Sequence, residues 1–144
     1  MEASSRPNFL VIVSDTLRRD HLGAYGNDWI HTPRLDRLAR RSVVFDNHLI
    51  GSFPTMPARA DMLTGRLSLT FMSWAPLPAH LSTLPQLLSE AGYLTMGIVD
   101  TPFYVRNGFG YDRGFQDFLW LRGQGDAKRM EERVDARSSW RHES

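Results

Sequence analysis

The chain contains no cysteine, which removes disulfides, thiolate metal sites and cysteine nucleophiles at once. No stretch approaches the ~20 apolar residues of a membrane span. The short run FLVIV at residues 9–13 lacks the basic lead and longer apolar core of a secretory signal. A soluble, cytoplasmic protein is the resulting expectation. Charge of one sign is missing too: 17 basic against 16 acidic residues give a net charge of +1. No strong field therefore draws the chain to nucleic acid or to an anionic membrane. Glycine-rich phosphate loops of the Walker or Rossmann kind are absent. The five histidines include no pair at the i, i+4 spacing of a helical metal site.

What is present is ordinary globular material. Hydrophobic residues make up 42% and charged residues 23% of 144, enough for one domain with a core. Residues 8–13 (NFLVIV) form a continuous apolar, β-branched run and read as a buried parallel strand ending at Ser14 and Asp15. Residues 20–28 (DHLGAYGND) read as a loop. Thr32 and Pro33 open a helix to about Arg40, with Leu35, Leu38 and Ala39 facing inward. A second strand is expected over 42–50 (SVVFDNHLI), then a helix from about Pro57 to Thr64 stopped by Gly65. Residues 66–80 read as loop. Thr83 and Gln86 have capping-box spacing at the head of a helix over 83–91, with Leu84, Leu87 and Leu88 as its apolar face. Residues 94–99 (LTMGIV) read as another buried strand, ending at Asp100. Alternation of this kind predicts an α/β fold, a mainly parallel sheet flanked by helices. Residues 1–121 make up this domain, and the charged segment 122–144 reads as a loosely ordered tail.

Two places could carry chemistry. Asp15, at the end of a buried strand, is placed to bind a hard divalent cation at a sheet edge. The competing reading is a loop cap or a partner for Arg18 or Arg19. Thr55 lies in GSFPTMPARADMLTGR (51–66), just ahead of a helix whose free N–H groups and dipole favour an anion. Arg59 is one helical turn on and can reach back. From spacing alone, a capping threonine and a solvated arginine are the commoner explanation. His21, His31, His48, His80 and His142 are dispersed. Asp61, Asp100 and Asp112 read as surface or capping groups.

Four stretches in order carry a family resemblance. RPNFLVIVSDTLRRDHLGAYGN (6–27) resembles the opening of the sulfatase branch of the alkaline phosphatase superfamily, with its strand, metal-binding acidic pair and L-G-x-Y-G loop. PTMPARADMLTGR resembles that family's C/S-x-P-x-R signature followed by L-T-G. STLPQLLSEAGYLT and GYDRGFQDF are similar to its next helix–strand and its G-F-D-x-F element. The resemblance spans about residues 7–121. It implies an alkaline phosphatase/sulfatase-like fold and places Asp15 at the first metal-binding aspartate and Thr16 at the second. Thr55 falls at the nucleophile, and Arg59 at the arginine that steadies it. It also implies a divalent cation (calcium, or manganese, zinc or magnesium) and a small sulfate or phosphate ester as substrate.

Three departures qualify what the resemblance implies. Threonine carries an extra methyl on its β-carbon and cannot become the formylglycine of sulfatases. Thr55 would attack directly and leave a covalent ester for water to cleave, which leans toward phosphoester chemistry. Residues 97–103 (GIVDTPF) supply neither the Lys nor the His that usually follows the third strand. Family members run to several hundred residues, so the chain is expected to be a truncated form holding the Asp15, Thr55, Arg59 half of a site. Such a form is expected to keep the cation poorly alone and to associate through an uncovered sheet edge. The alternative is a catalytically silent fragment or pseudoenzyme serving as a scaffold or interaction module.

Overall fold

The computed structural model describes residues 6–100 and 108–121. The chain divides into two units, with the boundary between His48 and Leu49. Among the described residues no helix is long and apolar enough to cross a membrane.

In the first unit, polar side chains organise short turns. Two 3-10 turns, Arg19–His21 and Gly23–Tyr25, precede helix α1 at Pro33–Ala39. Asn27 ties them together: its amide donates to the Asp20 carbonyl (2.7 Å), and its side-chain oxygen accepts the Ile30 N–H (2.7 Å). Proline at the first position fixes the start of α1, as its sequence implies. The Thr32 hydroxyl does not cap this helix. It accepts the Gly23 N–H (3.0 Å) and donates to Asp36 (2.9 Å), stapling α1 to the turn before it.

Two expectations fail in this region. Among the described residues, 8–13 form no strand, and Phe9 to Val13 stand 54–84% exposed. Residues 42–50 likewise form no strand. An apolar run states what a segment can bury, and a strand forms only where a neighbour takes up its N–H and C=O groups. The same limit applies to Leu35 and Leu38, which α1 leaves exposed.

The second unit holds the core. Helix α2 spans Thr55–Thr64 and ends at Gly65, whose left-handed backbone (φ 66°) lets its N–H close on the Asp61 carbonyl at 2.8 Å. A 3-10 turn at Ser68–Thr70 follows, inside the stretch read as loop. Helix α3, Leu84–Glu90, carries the expected capping box: the Thr83 hydroxyl accepts the Gln86 N–H and the Gln86 side chain accepts the Thr83 N–H. Strand β1 (Met96–Val99) pairs in parallel with β2 (Asp117–Trp120), in register Met96 to Asp117. The α/β class and parallel pairing are as anticipated, and β1 falls within the strand expected over 94–99, whereas β2 begins inside GYDRGFQDF, where no strand is expected from the sequence. The expected apolar face of α3 is only partly used, since Leu84 and Leu87 stay exposed while Pro85 is buried.

Met56, Ala60, Leu77, Leu81 and Tyr111 form the buried cluster, with Leu63, Met72, Val99, Phe109 and Phe118 packed against it. Arg113 locks the segment before α3 by donating to the carbonyls of Pro78, Ala79 and Leu81 (2.9–3.0 Å). The core thus sits directly under α2, the helix that bears Thr55. The proposed tail at 122–144 and positions 101–103 of GIVDTPF lie outside the described residues.

Candidate functional site

Thr55 is the first residue of α2, not the residue ahead of it. Pro54 occupies the cap position and no side-chain capping bond forms there. The commoner explanation for this threonine, a helix cap, therefore does not hold. Ala58 N–H closes on the Pro54 carbonyl (3.0 Å) and Pro57 has no N–H, which leaves the Thr55 and Met56 amides at the open end of the helix. Their partial positive charge favours an anion at this end. Arg59 Nη1 donates to the Thr55 carbonyl at 3.4 Å, a long bond that brings the guanidinium back over the first turn. Both side chains are half-buried.

The turn that carries Thr55 is held from beneath. Tyr111 is buried, and its hydroxyl faces the carbonyls of Met56 (3.1 Å) and Ala75 (3.3 Å). Burial pushes its pKa up to about 12, against the opposing effect of the Arg59 charge. Ser68 donates to the Pro57 carbonyl (2.7 Å), and its N–H binds Asp61 Oδ1 (2.7 Å). Ser52 Oγ accepts the Leu69 N–H (3.2 Å). Asp61 is thus no surface group. Sequence reasoning missed Tyr111, Ser52 and Ser68 as well, because their partners lie 11 to 55 residues away. The one local signal was a carboxylate on a helix face otherwise lined by Pro57, Ala60 and Thr64.

Asp15 and Thr16 belong to the first unit. Thr16 has a left-handed backbone (φ 59°), which costs a β-branched residue about 1–2 kcal/mol. Its hydroxyl donates to the Asp15 carbonyl at 2.7 Å. Arg18 pairs with Asp20 (2.6 Å), and that hydrogen-bonded pair holds the Asp20 carboxyl well below the usual carboxylate range. Arg19 engages Asp46 and stacks on the Tyr25 ring, 4.5 Å from its centroid. A carboxylate and a hydroxyl are the hard oxygen donors a divalent cation takes, but such sites gather about six or more. Among the described residues no three His, Asp or Glu side chains come together. These residues therefore do not make a cation site by themselves. His21 instead lies against Asp20 (3.1 Å) and meets the Trp29 ring edge-on.

The sulfatase family profile matches residues 7–137. The chain belongs to the sulfatase family. Within this family, it is 39% identical over 103 residues to steryl-sulfatase of Mus musculus, a match covering 62% of this chain and 16% of the relative. It is 37% identical over 102 residues to iduronate 2-sulfatase of Mus musculus, covering 67% of the chain and 18% of that protein. Human steryl-sulfatase is 36% identical over 107 residues, with 65% and 18% covered. The chain spans less than a fifth of the length of these relatives. No solved structure matches it. The two-stranded parallel sheet with three helices is consistent with an incomplete sulfatase/alkaline phosphatase-like fold. Sulfatase-family proteins act on sulfate esters and in general bind a divalent metal ion.

Proposed function

We propose that this sulfatase-family chain carries the nucleophile of an ester hydrolase, with Thr55 as the attacking residue and Arg59 as its support. The observation that carries this reading is the position of Thr55 itself. It occupies the first turn of α2 without capping it, beside open backbone amides and under the Arg59 guanidinium. In the reaction, Thr55 Oγ loses its proton as it bonds to the sulfur or phosphorus of a small ester, the bond to the leaving alkoxide breaks, and that oxygen takes up the proton the hydroxyl gave. Water then cleaves the threonyl ester, restoring the hydroxyl and releasing sulfate, phosphate or, from a diester, a phosphate monoester. The helix terminus and Arg59 stabilise the negative charge on the transferred group. Threonine cannot supply the aldehyde hydrate of a formylglycine, which favours phosphate mono- and diesters beside sulfate esters. Asp15 is offered as one oxygen ligand toward a divalent cation, calcium or else magnesium, manganese or zinc, with no step of this sequence resting on it.

Turnover of an aryl sulfate, a phosphate monoester and a phosphodiester, each with added divalent cation, tests the reading. Thr55→Ala is expected to lower any hydrolysis by about a hundredfold or more, the usual scale for a covalent nucleophile. Hydrolysis unchanged in that variant would remove Thr55 from the mechanism. One observation favours a second reading, a catalytically silent scaffold: the missing cluster of metal-ligating side chains among the described residues. Turnover that requires Thr55 rejects it.

A further inference from the structure

The first turn of a helix is ordinarily its loosest part, because its amides lack intrahelical partners. In α2 this turn is secured through its carbonyls instead. The Met56 carbonyl faces the Tyr111 hydroxyl at 3.1 Å, and the Pro57 carbonyl accepts the Ser68 hydroxyl at 2.7 Å. Tyr111 is 2% exposed and Ser68 0%, so neither hydroxyl has water as an alternative partner. The tyrosyl proton also reaches toward the Ala75 carbonyl at 3.3 Å, which ties the turn to a segment far from it in sequence. Ser68 is held in its own place by Asp61. Two donors on consecutive carbonyls fix both the rotation of the turn about its axis and its height above the core. Thr55 is the residue immediately before them, and Arg59 the one that folds back over it.

Resting on the reading of Thr55 as nucleophile, we propose that Tyr111 and Ser68 are positioning residues, whose hydroxyls set the first turn of α2 and so aim Thr55 and Arg59. Neither touches a reacting atom. The phenol ring contributes packing, and the hydroxyl contributes the aim. Tyr111→Phe separates the two because it keeps the ring and deletes only the donor. Ser68→Ala is the second variant, should the first disturb the core.

Hydrogen exchange on the 144-residue chain reads the effect without any assay of turnover. In Tyr111→Phe, the Ala58 and Arg59 amides are expected to exchange about tenfold faster, the weight of one neutral hydrogen bond. The Leu87 amide of α3 and the Ala91 amide that closes its last turn are expected to keep their rates. Ser68→Ala should give the same local pattern. Uniform acceleration in both helices would make the hydroxyls general core contacts and overturn the proposal, as would no change at Ala58 and Arg59. The kinetic arm is a lower kcat, by about tenfold, at a KM within twofold of the parent. An unchanged kcat in Tyr111→Phe, where Thr55→Ala abolishes turnover, overturns the positioning role alone. Turnover that survives Thr55→Ala overturns the nucleophile reading alone, and the exchange pattern still decides whether the two hydroxyls set this turn.

Discussion

Asp61 is held by opposing forces that make it a pH-dependent strut. Burial of its carboxyl disfavours the charged form, but the Ser52 and Ser68 hydroxyls beside it and the Ser68 N–H outweigh that and lower its pKa from 3.8. Its second oxygen, Oδ2, is buried and makes no hydrogen bond. A carboxyl with a depressed pKa in the folded state stabilises the fold above its unfolded pKa. That stabilisation is lost as pH falls through the folded value. Asp61→Asn keeps the shape and an acceptor for the Ser68 N–H while deleting the charge. The variant is expected to be less stable than the parent at pH 7, by about 1 kcal/mol, with the difference shrinking toward zero in acid, as the pH falls well below the ordinary carboxyl value of 3.8. Urea midpoints at both pH values check this, and a difference of equal size at both would reject the charge as the cause. The residues of the candidate site were unevenly legible for the same reason. Thr55 and Arg59 sit together in one short motif that any reader meets in order. Tyr111 and Ser68 become visible only when the chain brings distant carbonyls to them.

Among elements, those with local punctuation were read well. Pro33 starts α1, the Thr83–Gln86 box starts α3, and Gly65 stops α2, each through atoms within a few residues. Strands were read by hydrophobicity, and that signal found β1 within residues 94–99 but failed in both directions elsewhere. FLVIV is the most strand-like run in the chain and joins no strand ladder among the described residues, whereas the short DFLW at Asp117–Trp120 pairs with β1. Pairing is a non-local event that periodicity alone does not report. What places β2 is a close approach upstream of it. Gly114 has φ 86°, and a Cβ there would fall 2.2 Å from the Gln86 nitrogen and 2.6 Å from its Cα, both at the head of α3. The Thr95 hydroxyl also donates to the Gly114 carbonyl at 2.6 Å. Gly114→Ala is therefore expected to separate α3 from the β2 approach and to destabilise the second unit by about 1–3 kcal/mol. Chemical denaturation measures the loss, and a neutral result would show that the backbone moves aside freely. Gly110→Ala is the useful contrast. Its φ is also positive, but the nearest atoms to a Cβ there lie at 3.4 Å.

At the scale of the whole molecule, the exposed apolar surface is the dominant physical fact. Met96 and Ile98 of β1 stand 61% and 58% exposed, and Leu119 of β2 opens to solvent beside them. The sheet has two strands, so each has one edge with no ladder partner among the described residues. Phe9 to Val13 add a run of consecutive exposed apolar side chains. Sequences of this composition, rich in β-branched residues and free of charge, bury themselves against another strand when one is within reach. Net charge of +1 supplies almost no repulsion to prevent it. The chain is therefore expected to associate with copies of itself, increasingly with concentration and with salt, since salt strengthens apolar contact and screens what little charge there is. Sedimentation velocity across a hundredfold range of concentration checks this directly. Replacing Ile98 by lysine places a charge on the exposed face of β1 without removing a buried group, and is expected to shift the distribution toward monomer. A single monomeric boundary at every concentration, with one cooperative melting transition, would show that these surfaces are covered from within the chain.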